Sequence, residues 1–94
     1  MIRSFKCPET EQISKGLQSL KFPSTIQRKA LDKLLMIKSA TMVTDLRVPP
    51  GNRLEKLKGK RLGQHSIRIN DQWRICFKWE EAEAINVEIV DYHD

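Results

Sequence analysis

Residues 64–79 read QHSIRINDQWRICFKW, and they contain the pattern that decides the fold. Apolar and polar side chains alternate over residues 66–70 and again over residues 73–79, as they do in β-strands with one buried face. The Asn-Asp-Gln sequence at 70–72 separates the two runs and is typical of a turn. The pattern therefore predicts two consecutive strands, 64–70 and 73–79, in an antiparallel sheet.

The same alternation assigns the side chains of the second strand to two faces. Arg74, Cys76 and Lys78 fall on one face, which we expect to be exposed together with Arg68 of the preceding strand. On that face Arg74 offers a planar fork that matches two phosphate oxygens, or it pairs with an acid such as Glu88; the pattern leaves both open. The other face, expected to pack against helices, carries Trp73, Ile75, Phe77 and Trp79.

Positive charge is concentrated in this part of the chain. Residues 47–78 contain nine Lys or Arg and two acidic residues, a local net charge of +7 against +5 for all 94 residues. Because these residues lie on predicted strands and their turns, they would form a fixed basic surface suited to a polyanion such as nucleic acid. Composition alone equally allows a merely soluble basic surface.

The remaining sequence predicts two helices and three further strands. Residues 2–6 are a short strand; a helix begins at Pro8 and weakens at Gly16, near residues 17–20. A second helix begins at Ser24, where Gln27 has the spacing of a capping box, and ends near residue 39 or 40. Residues 54–58 and 84–91 complete the sheet. This order predicts one α+β domain, residues 1–94, with two N-terminal helices packed on one face of a mainly antiparallel sheet.

Several classes of function lack their motifs. The chain has no phosphate-binding loop, no nucleophile elbow and no cluster with the spacing of metal ligands, so we expect no cofactor. Cys7 and Cys76 are far apart and are expected to be reduced thiols. The longest aliphatic run, residues 34–37, is too short to span a bilayer, and no signal peptide is recognisable. We therefore expect a cytoplasmic protein with no membrane partner.

The end of the chain, Asp91-Tyr92-His93-Asp94, carries groups capable of chemistry. Histidine transfers protons near neutral pH, and tyrosine stacks on bases of single-stranded RNA. A terminal histidine without such a role is also common, so the pattern alone does not decide. RNA cleavage itself needs a base to deprotonate the 2′-hydroxyl, cations to stabilise the phosphorane and an acid for the leaving oxygen.

Three short elements together resemble the HigB-type branch of the RelE/ParE toxin superfamily. They are Leu57-Lys58-Gly59, Trp73-Arg74-Ile75 and Asp91-Tyr92-His93, and the resemblance covers essentially the whole chain. It implies the toxin of a type II toxin–antitoxin pair, a metal-independent endoribonuclease that cuts translated mRNA through the 2′-hydroxyl. It further implies, as partners, the 70S ribosome with its mRNA and a HigA-like helix-turn-helix antitoxin, whose complex with the toxin binds operator DNA.

The resemblance also implies roles for individual residues. Lys58 would stabilise charge or assist proton transfer, and Arg74 would hold the scissile phosphate. Tyr92 would stack on an mRNA base, while Asp91 and His93 would position or transfer a proton.

One position departs from the family pattern. Some relatives have a histidine three residues before the lysine of Leu-Lys-Gly, whereas this chain has Glu55. Glu55 is either a general base, although phosphate would repel it, or a structural residue. Six basic residues are expected to contact RNA or the ribosome: Arg53, Lys56, Lys60, Arg61, Arg68 and Lys78.

Two other functions remain as alternatives on this sequence. A ParE-like toxin would poison DNA gyrase by protein binding without catalysis, on the same fold. A non-catalytic RNA-binding domain would need only the basic surface. Arg74 and the Asp-Tyr-His terminus favour the nuclease, because a protein-binding toxin has no need of them.

Overall fold

The protein, represented by a computed structural model that describes residues 1–92, has two helices followed by a four-stranded sheet. The helices are α1 (Pro8–Ser14) and α2 (Ser24–Ser39). The strands are β1 (Glu55–Lys56), β2 (Gln64–Arg68), β3 (Trp73–Glu80) and β4 (Glu83–Asp91). Each strand pairs antiparallel with the next, in the order β1-β2-β3-β4. The predicted α+β class and the strand meander are confirmed.

The main core lies between α2 and one face of the sheet. On α2 the buried apolar residues recur at helical spacing, as predicted: Ile26, Ala30, Leu34 and Ile37. The sheet contributes Ile67, Ile75, Phe77, Val87 and Ile89 to the same cluster. Burial of one such aliphatic or aromatic side chain contributes about 1.5–3 kcal/mol, so this cluster holds the helices on the sheet. Within residues 1–92, no helix is long and apolar enough to cross a membrane.

Helix α2 begins at Ser24 as predicted, but without the predicted capping box. Ser24 makes no side-chain cap, and Gln27 does not reach back to it. Instead, Gln27 Oε1 accepts the Ser19 backbone N–H at 3.0 Å, and its Nε2 donates to the carbonyls of Ser19 at 2.6 Å and Phe22 at 2.8 Å. The capping-box prediction is therefore wrong, because the side-chain amide of Gln27 is used to hold the loop between the helices.

Three predicted lengths are also corrected. Residues 2–6 form no regular strand but two isolated parallel bridges to β4, Ile2 with Ala84 and Phe5 with Val87. Helix α1 ends at Ser14, before Gly16 takes a left-handed φ of 81°. Strand β1 spans two residues rather than 54–58, because the chain turns into a 3₁₀ segment at Gly59.

An irregularity in β4 shifts the predicted alternation. The register with β3 changes between Cys76 and Lys78, and Asn86 has a positive φ of 54°. An extra residue at such a bulge reverses the face of the side chains that precede it. Accordingly Ala84 is buried in the core, whereas Ile85, which regular alternation with Val87 and Ile89 would place on the core face, is half-buried.

Candidate functional site

A pocket of about 240 Å³ lies beside Arg74. Three of its lining residues are arginines and two are acids, so it combines an anion-binding wall with carboxylates. The lining residues are Arg53, Glu55, Arg68, Asn70, Asp71, Arg74 and Tyr92. The structure therefore brings together five of the residues predicted from sequence, although they come from the segment before β1, from β1, β2 and β3, and from the end of β4.

Strand pairing explains why these residues converge. Arg74 of β3 lies opposite Arg68 of β2 and Val90 of β4. Tyr92 follows β4 directly, and its backbone N–H donates to the Gln72 carbonyl at 2.8 Å, which extends the pairing of β3 and β4 past Asp91. Because the strands are adjacent and antiparallel, the start of β3 and the ends of β2 and β4 lie at one edge of the sheet.

Arg74 is buried, with 8% of its surface exposed. Its Nε donates to Ser66 Oγ at 2.8 Å, and its Nη2 donates to the carbonyls of Arg53 at 2.6 Å and Ser66 at 3.4 Å. The guanidinium carbon lies 5.8 Å from the centre of the Tyr92 ring, within the range of a cation–π contact. The guanidinium of Arg74 is therefore held in one orientation.

The structure corrects the expected exposure of this face and decides against one of the two alternatives for Arg74. Arg74 and Cys76 are on the predicted face, but both are buried rather than exposed. Arg74 also does not pair with Glu88, because that carboxylate contacts Lys6 at 3.5 Å and Arg61 at 3.4 Å. The physical reason is that the segment before β1 approaches this face, so that the Arg53 carbonyl and Ser66 of β2 provide hydrogen-bond acceptors for Arg74.

Arg53 combines two features of the site. Its backbone is left-handed, with φ 44° and ψ 57°, a conformation that costs a residue with a Cβ about 1–3 kcal/mol. That conformation accompanies the hydrogen bond from Arg74 Nη2 to the Arg53 carbonyl, while the exposed Arg53 side chain lines the pocket. Backbone strain of this kind clusters at binding and catalytic sites.

Of the two acidic candidates, Glu55 lines the pocket and Asp91 does not. Glu55 of β1 is exposed, lines the pocket and pairs across the sheet with Ser66. Asp91 at the end of β4 pairs with Trp73, and its Oδ2 accepts a hydrogen bond from Gln72 Nε2 at 3.0 Å. The predicted catalytic residue His93 lies outside the described residues.

Lys58 does not line this pocket. It lines a second depression of about 270 Å³ together with Lys56 and His65. There, partial burial and then the nearby Lys56 ammonium lower the pKa of His65, whose ring stacks on Phe77 with 6.0 Å between the centroids. The predicted role of Lys58 in charge stabilisation stays a prediction.

The other predicted RNA-binding residues fall into two groups. Lys56, Lys60 and Lys78 are exposed and remain suited to a polyanionic partner. Arg61 is half-buried, and its Nη1 donates to Gln64 at 3.2 Å besides its ion pair with Glu88. Arg68 forms an ion pair with Asp71 at the rim of the pocket. Arg61 and Arg68 therefore already form ion pairs within the protein.

Sequence reasoning missed Ser66, Asn70 and Asp71. Asn70 Oδ1 accepts the backbone N–H groups of Gln72 at 2.9 Å and Trp73 at 2.8 Å, which builds the turn and places Asn70 in the pocket wall. An Asn two residues before the partner N–H is a recognisable turn signal. Ser66 shares a strand face with Arg68 by alternation, but no pattern predicts that its hydroxyl accepts a bond from Arg74.

The arrangement is suited to a phosphodiester. Arginine forks can bind phosphate oxygens, an aromatic ring such as that of Tyr92 can stack on a base, and a carboxylate such as that of Glu55 can accept a proton. Among residues 1–92, no group of three or more His, Cys, Asp or Glu side chains is placed to hold a metal ion.

Comparisons with known proteins agree with this architecture. Residues 10–93 match the family model of HigB-like toxins, described as RelE-like toxins of type II toxin–antitoxin systems. Toxin HigB-1 of Vibrio cholerae serotype O1 is 44% identical over 64 residues, which are 68% of this chain and 67% of that toxin. Endoribonuclease HigB of Proteus vulgaris is 34% identical over 98 aligned positions, covering 99% of this chain and 100% of that enzyme.

A solved structure shows the same fold at lower identity. The YoeB–YefM complex from Staphylococcus aureus matches with a TM-score of 0.61 and 18% identity, over 100% of this chain and 99% of that one. At this identity the likeness concerns the fold alone. The family model covers most of the chain, and on that evidence the protein belongs to the HigB-like toxins of type II toxin–antitoxin systems.

Proposed function

We propose that this toxin is a ribosome-dependent, metal-independent endoribonuclease that cleaves mRNA during translation in the cytoplasm. The observation that carries the proposal is the pocket where Arg53, Arg68, Arg74 and Tyr92 meet. A relative that aligns over its whole length is named an endoribonuclease, which supports the same activity here.

The proposed reaction uses the substrate's own 2′-hydroxyl. A base removes its proton, the 2′-oxygen forms a bond to phosphorus, and the bond from phosphorus to the 5′-oxygen breaks as an acid protonates that oxygen. The products are a 2′,3′-cyclic phosphate and a 5′-hydroxyl. Positively charged groups fixed near the phosphorane stabilise the charge that develops on its oxygens, and arginine side chains supply them in this proposal.

Arg74 binds the scissile phosphate in this mechanism. Among the described residues, its hydrogen bonds engage Nε and Nη2, which leaves Nη1 for a phosphate oxygen. Because Ser66 and the Arg53 carbonyl already fix the guanidinium, little reorganisation is needed when the charge develops. The exposed Arg53 side chain provides a second cation at the same pocket.

The proton transfers are assigned to the acids and the terminal histidine. Glu55 is the general base, because it lines the pocket in which Arg74 holds the phosphate. Asp91 and His93 position and protonate the leaving oxygen, and Tyr92 stacks on the neighbouring base. Lys58, which lines a second depression, contributes positive charge to the bound RNA.

Two partners complete the proposal. The exposed Lys56, Lys60 and Lys78 contact RNA of the 70S ribosome, because ammonium groups on a fixed surface attract phosphates. A HigA-like helix-turn-helix antitoxin neutralises the toxin, and the toxin reaches operator DNA only through that antitoxin. Membership of a toxin–antitoxin family supports the antitoxin partner.

Cleavage in a reconstituted translation system tests this function. We expect primer extension to map cuts in mRNA that is being translated, with 5′-hydroxyl and 2′,3′-cyclic phosphate ends, and we expect pre-treatment of the toxin with EDTA to leave cleavage unchanged. The matched control is the same mRNA without initiation. DNA breaks dependent on gyrase, without mRNA cuts, would show the alternative ParE-like activity instead.

A further inference from the structure

A buried polar contact links α2 to the segment that precedes β1. Lys33 of α2 is 8% exposed and Asn52 is fully buried. Lys33 Nζ donates to Asn52 Oδ1 at 2.5 Å. A buried ammonium paired with an amide instead of a carboxylate is unfavourable by itself, and burial lowers the pKa of Lys33. A residue that served packing alone would be Met or Leu, which avoid this desolvation.

The side-chain amide of Asn52 in turn fixes the segment around it. Its Nδ2 donates to the carbonyls of Leu46 at 3.2 Å and Val48 at 3.4 Å. The Asn52 backbone N–H donates to the Pro49 carbonyl at 2.9 Å. Both the donor and the acceptor of the Asn52 side chain are therefore used to hold residues 46–52 in one conformation against α2.

Arg53 follows Asn52 directly and adopts the left-handed conformation described above. Its N–H donates to the Pro50 carbonyl at 3.1 Å, and its carbonyl accepts Arg74 Nη2 at 2.6 Å. A non-glycine residue keeps such a conformation only where the surrounding structure imposes it. The contacts of Asn52, which fix the residue directly before Arg53, are part of that surrounding structure.

We infer that Lys33 and Asn52 are positioning residues for Arg74. They hold the Arg53 backbone in its left-handed conformation. The Arg53 carbonyl then fixes the Arg74 guanidinium in the orientation that a phosphate requires. The expected effect on cleavage rests on the proposed function. The orientation of the Arg74 guanidinium can be measured without substrate.

The activity test compares three substitutions on one helix. Lys33→Met removes the ammonium but keeps most of the aliphatic side chain. We expect kcat for translated mRNA to fall about 10- to 100-fold with KM unchanged, because Arg74 would be slightly misplaced. Lys33→Gln retains an N–H donor for Asn52 and should recover most of the rate. Lys29→Met, one turn earlier, removes the same charge from an exposed position and should leave the rate unchanged.

The second readout is the ¹⁵N NMR spectrum of the Arg74 guanidinium. In the wild-type toxin its hydrogen bonds should give slowly exchanging Nε and Nη protons, and in folded Lys33→Met these signals should broaden or average. A wild-type cleavage rate, or an unchanged Arg74 spectrum, in Lys33→Met overturns the inference. If Lys33→Met does not fold, hydrogen exchange in the wild-type protein tests the inference instead. Below the unfolding transition, the Asn52 Nδ2 and Arg74 Nε protons should exchange with solvent at coupled rates. Independent exchange rates overturn the inference.

The two proposals fail separately. A wild-type toxin that cuts no mRNA overturns the proposed function, while the guanidinium spectrum still decides whether Lys33 and Asn52 position Arg74. A wild-type toxin that cuts mRNA, together with a fully active Lys33→Met, overturns only the positioning role.

Discussion

Arg74 forms hydrogen bonds to Ser66 and to the Arg53 carbonyl, so its guanidinium stabilises the fold as well as facing the pocket. Arg74→Ala should lower the free energy of unfolding by about 1–3 kcal/mol, because these acceptors lose their donor in a buried place. If Arg74 were exposed, the substitution would leave the free energy of unfolding almost unchanged. Chemical denaturation measures the difference, and Arg28→Ala, at a position with 89% side-chain exposure, should change stability by less than about 0.5 kcal/mol.

The left-handed backbone of Arg53 permits a second test at the residue scale. Arg53→Gly removes the steric strain, whereas Arg53→Ala keeps it, so the glycine variant should be more stable than the alanine variant by about 1 kcal/mol. Both variants lose the same guanidinium and should bind RNA equally weakly. Equal stability of the two variants, measured by thermal unfolding, would show that the positive φ carries no strain.

The sequence predicts the residue types of the site better than their environment. The family resemblance implies that Arg74, Tyr92 and Glu55 belong to one site, and all three line one pocket. The burial of Arg74 depends on the Arg53 backbone angle and on the Ser66 hydroxyl. The Arg53 backbone angle is set within the segment before β1, and the Ser66 hydroxyl contacts Arg74 between β2 and β3. Neither feature leaves a periodic signal in the sequence.

At the scale of elements, the loop between α1 and α2 depends on Gln27. Gln27→Ala removes three hydrogen bonds to residues 19 and 22 and should destabilise the protein by about 1–3 kcal/mol. Ser24→Ala should be nearly neutral, because Ser24 makes no cap. If Ser24→Ala lost more stability than Gln27→Ala in the same urea titration, the result would support the capping box after all.

The sequence predicts that a helix or strand forms more reliably than it predicts how long that element is. Helix α2 and strands β2 and β3 have strong periodic patterns, and all three form where predicted. The N-terminal segment has irregular alternation and lies beside the irregular part of β4 near Asn86, so only isolated bridges form. The sequence pattern of β4 gives no sign of the bulge, because it depends on pairing with β3.

At the scale of the whole molecule, the basic surface should govern binding to the ribosome. We expect the affinity for 70S ribosomes to fall with rising salt, because bound phosphates release counterions. Alanine at any one of Lys56, Lys60 and Lys78 should reduce the slope of log affinity against log salt by about one. Lys29→Ala, on α2, is the matched control and should leave the slope unchanged. Affinity independent of salt would contradict an electrostatic docking surface.

The central claim is that the phosphodiester is broken in the pocket beside Arg74. The most direct measurement is the single-turnover cleavage rate of ribosome-bound mRNA by Arg74→Lys, which keeps the positive charge but loses the planar fork. We expect this rate to fall about 10²- to 10³-fold, as when one fixed donor to a developing charge is removed, with ribosome binding retained. Arg28→Lys, which makes the same exchange at an exposed position on α2, should cleave like the wild-type protein. Cleavage by folded Arg74→Lys at the wild-type rate would contradict the claim.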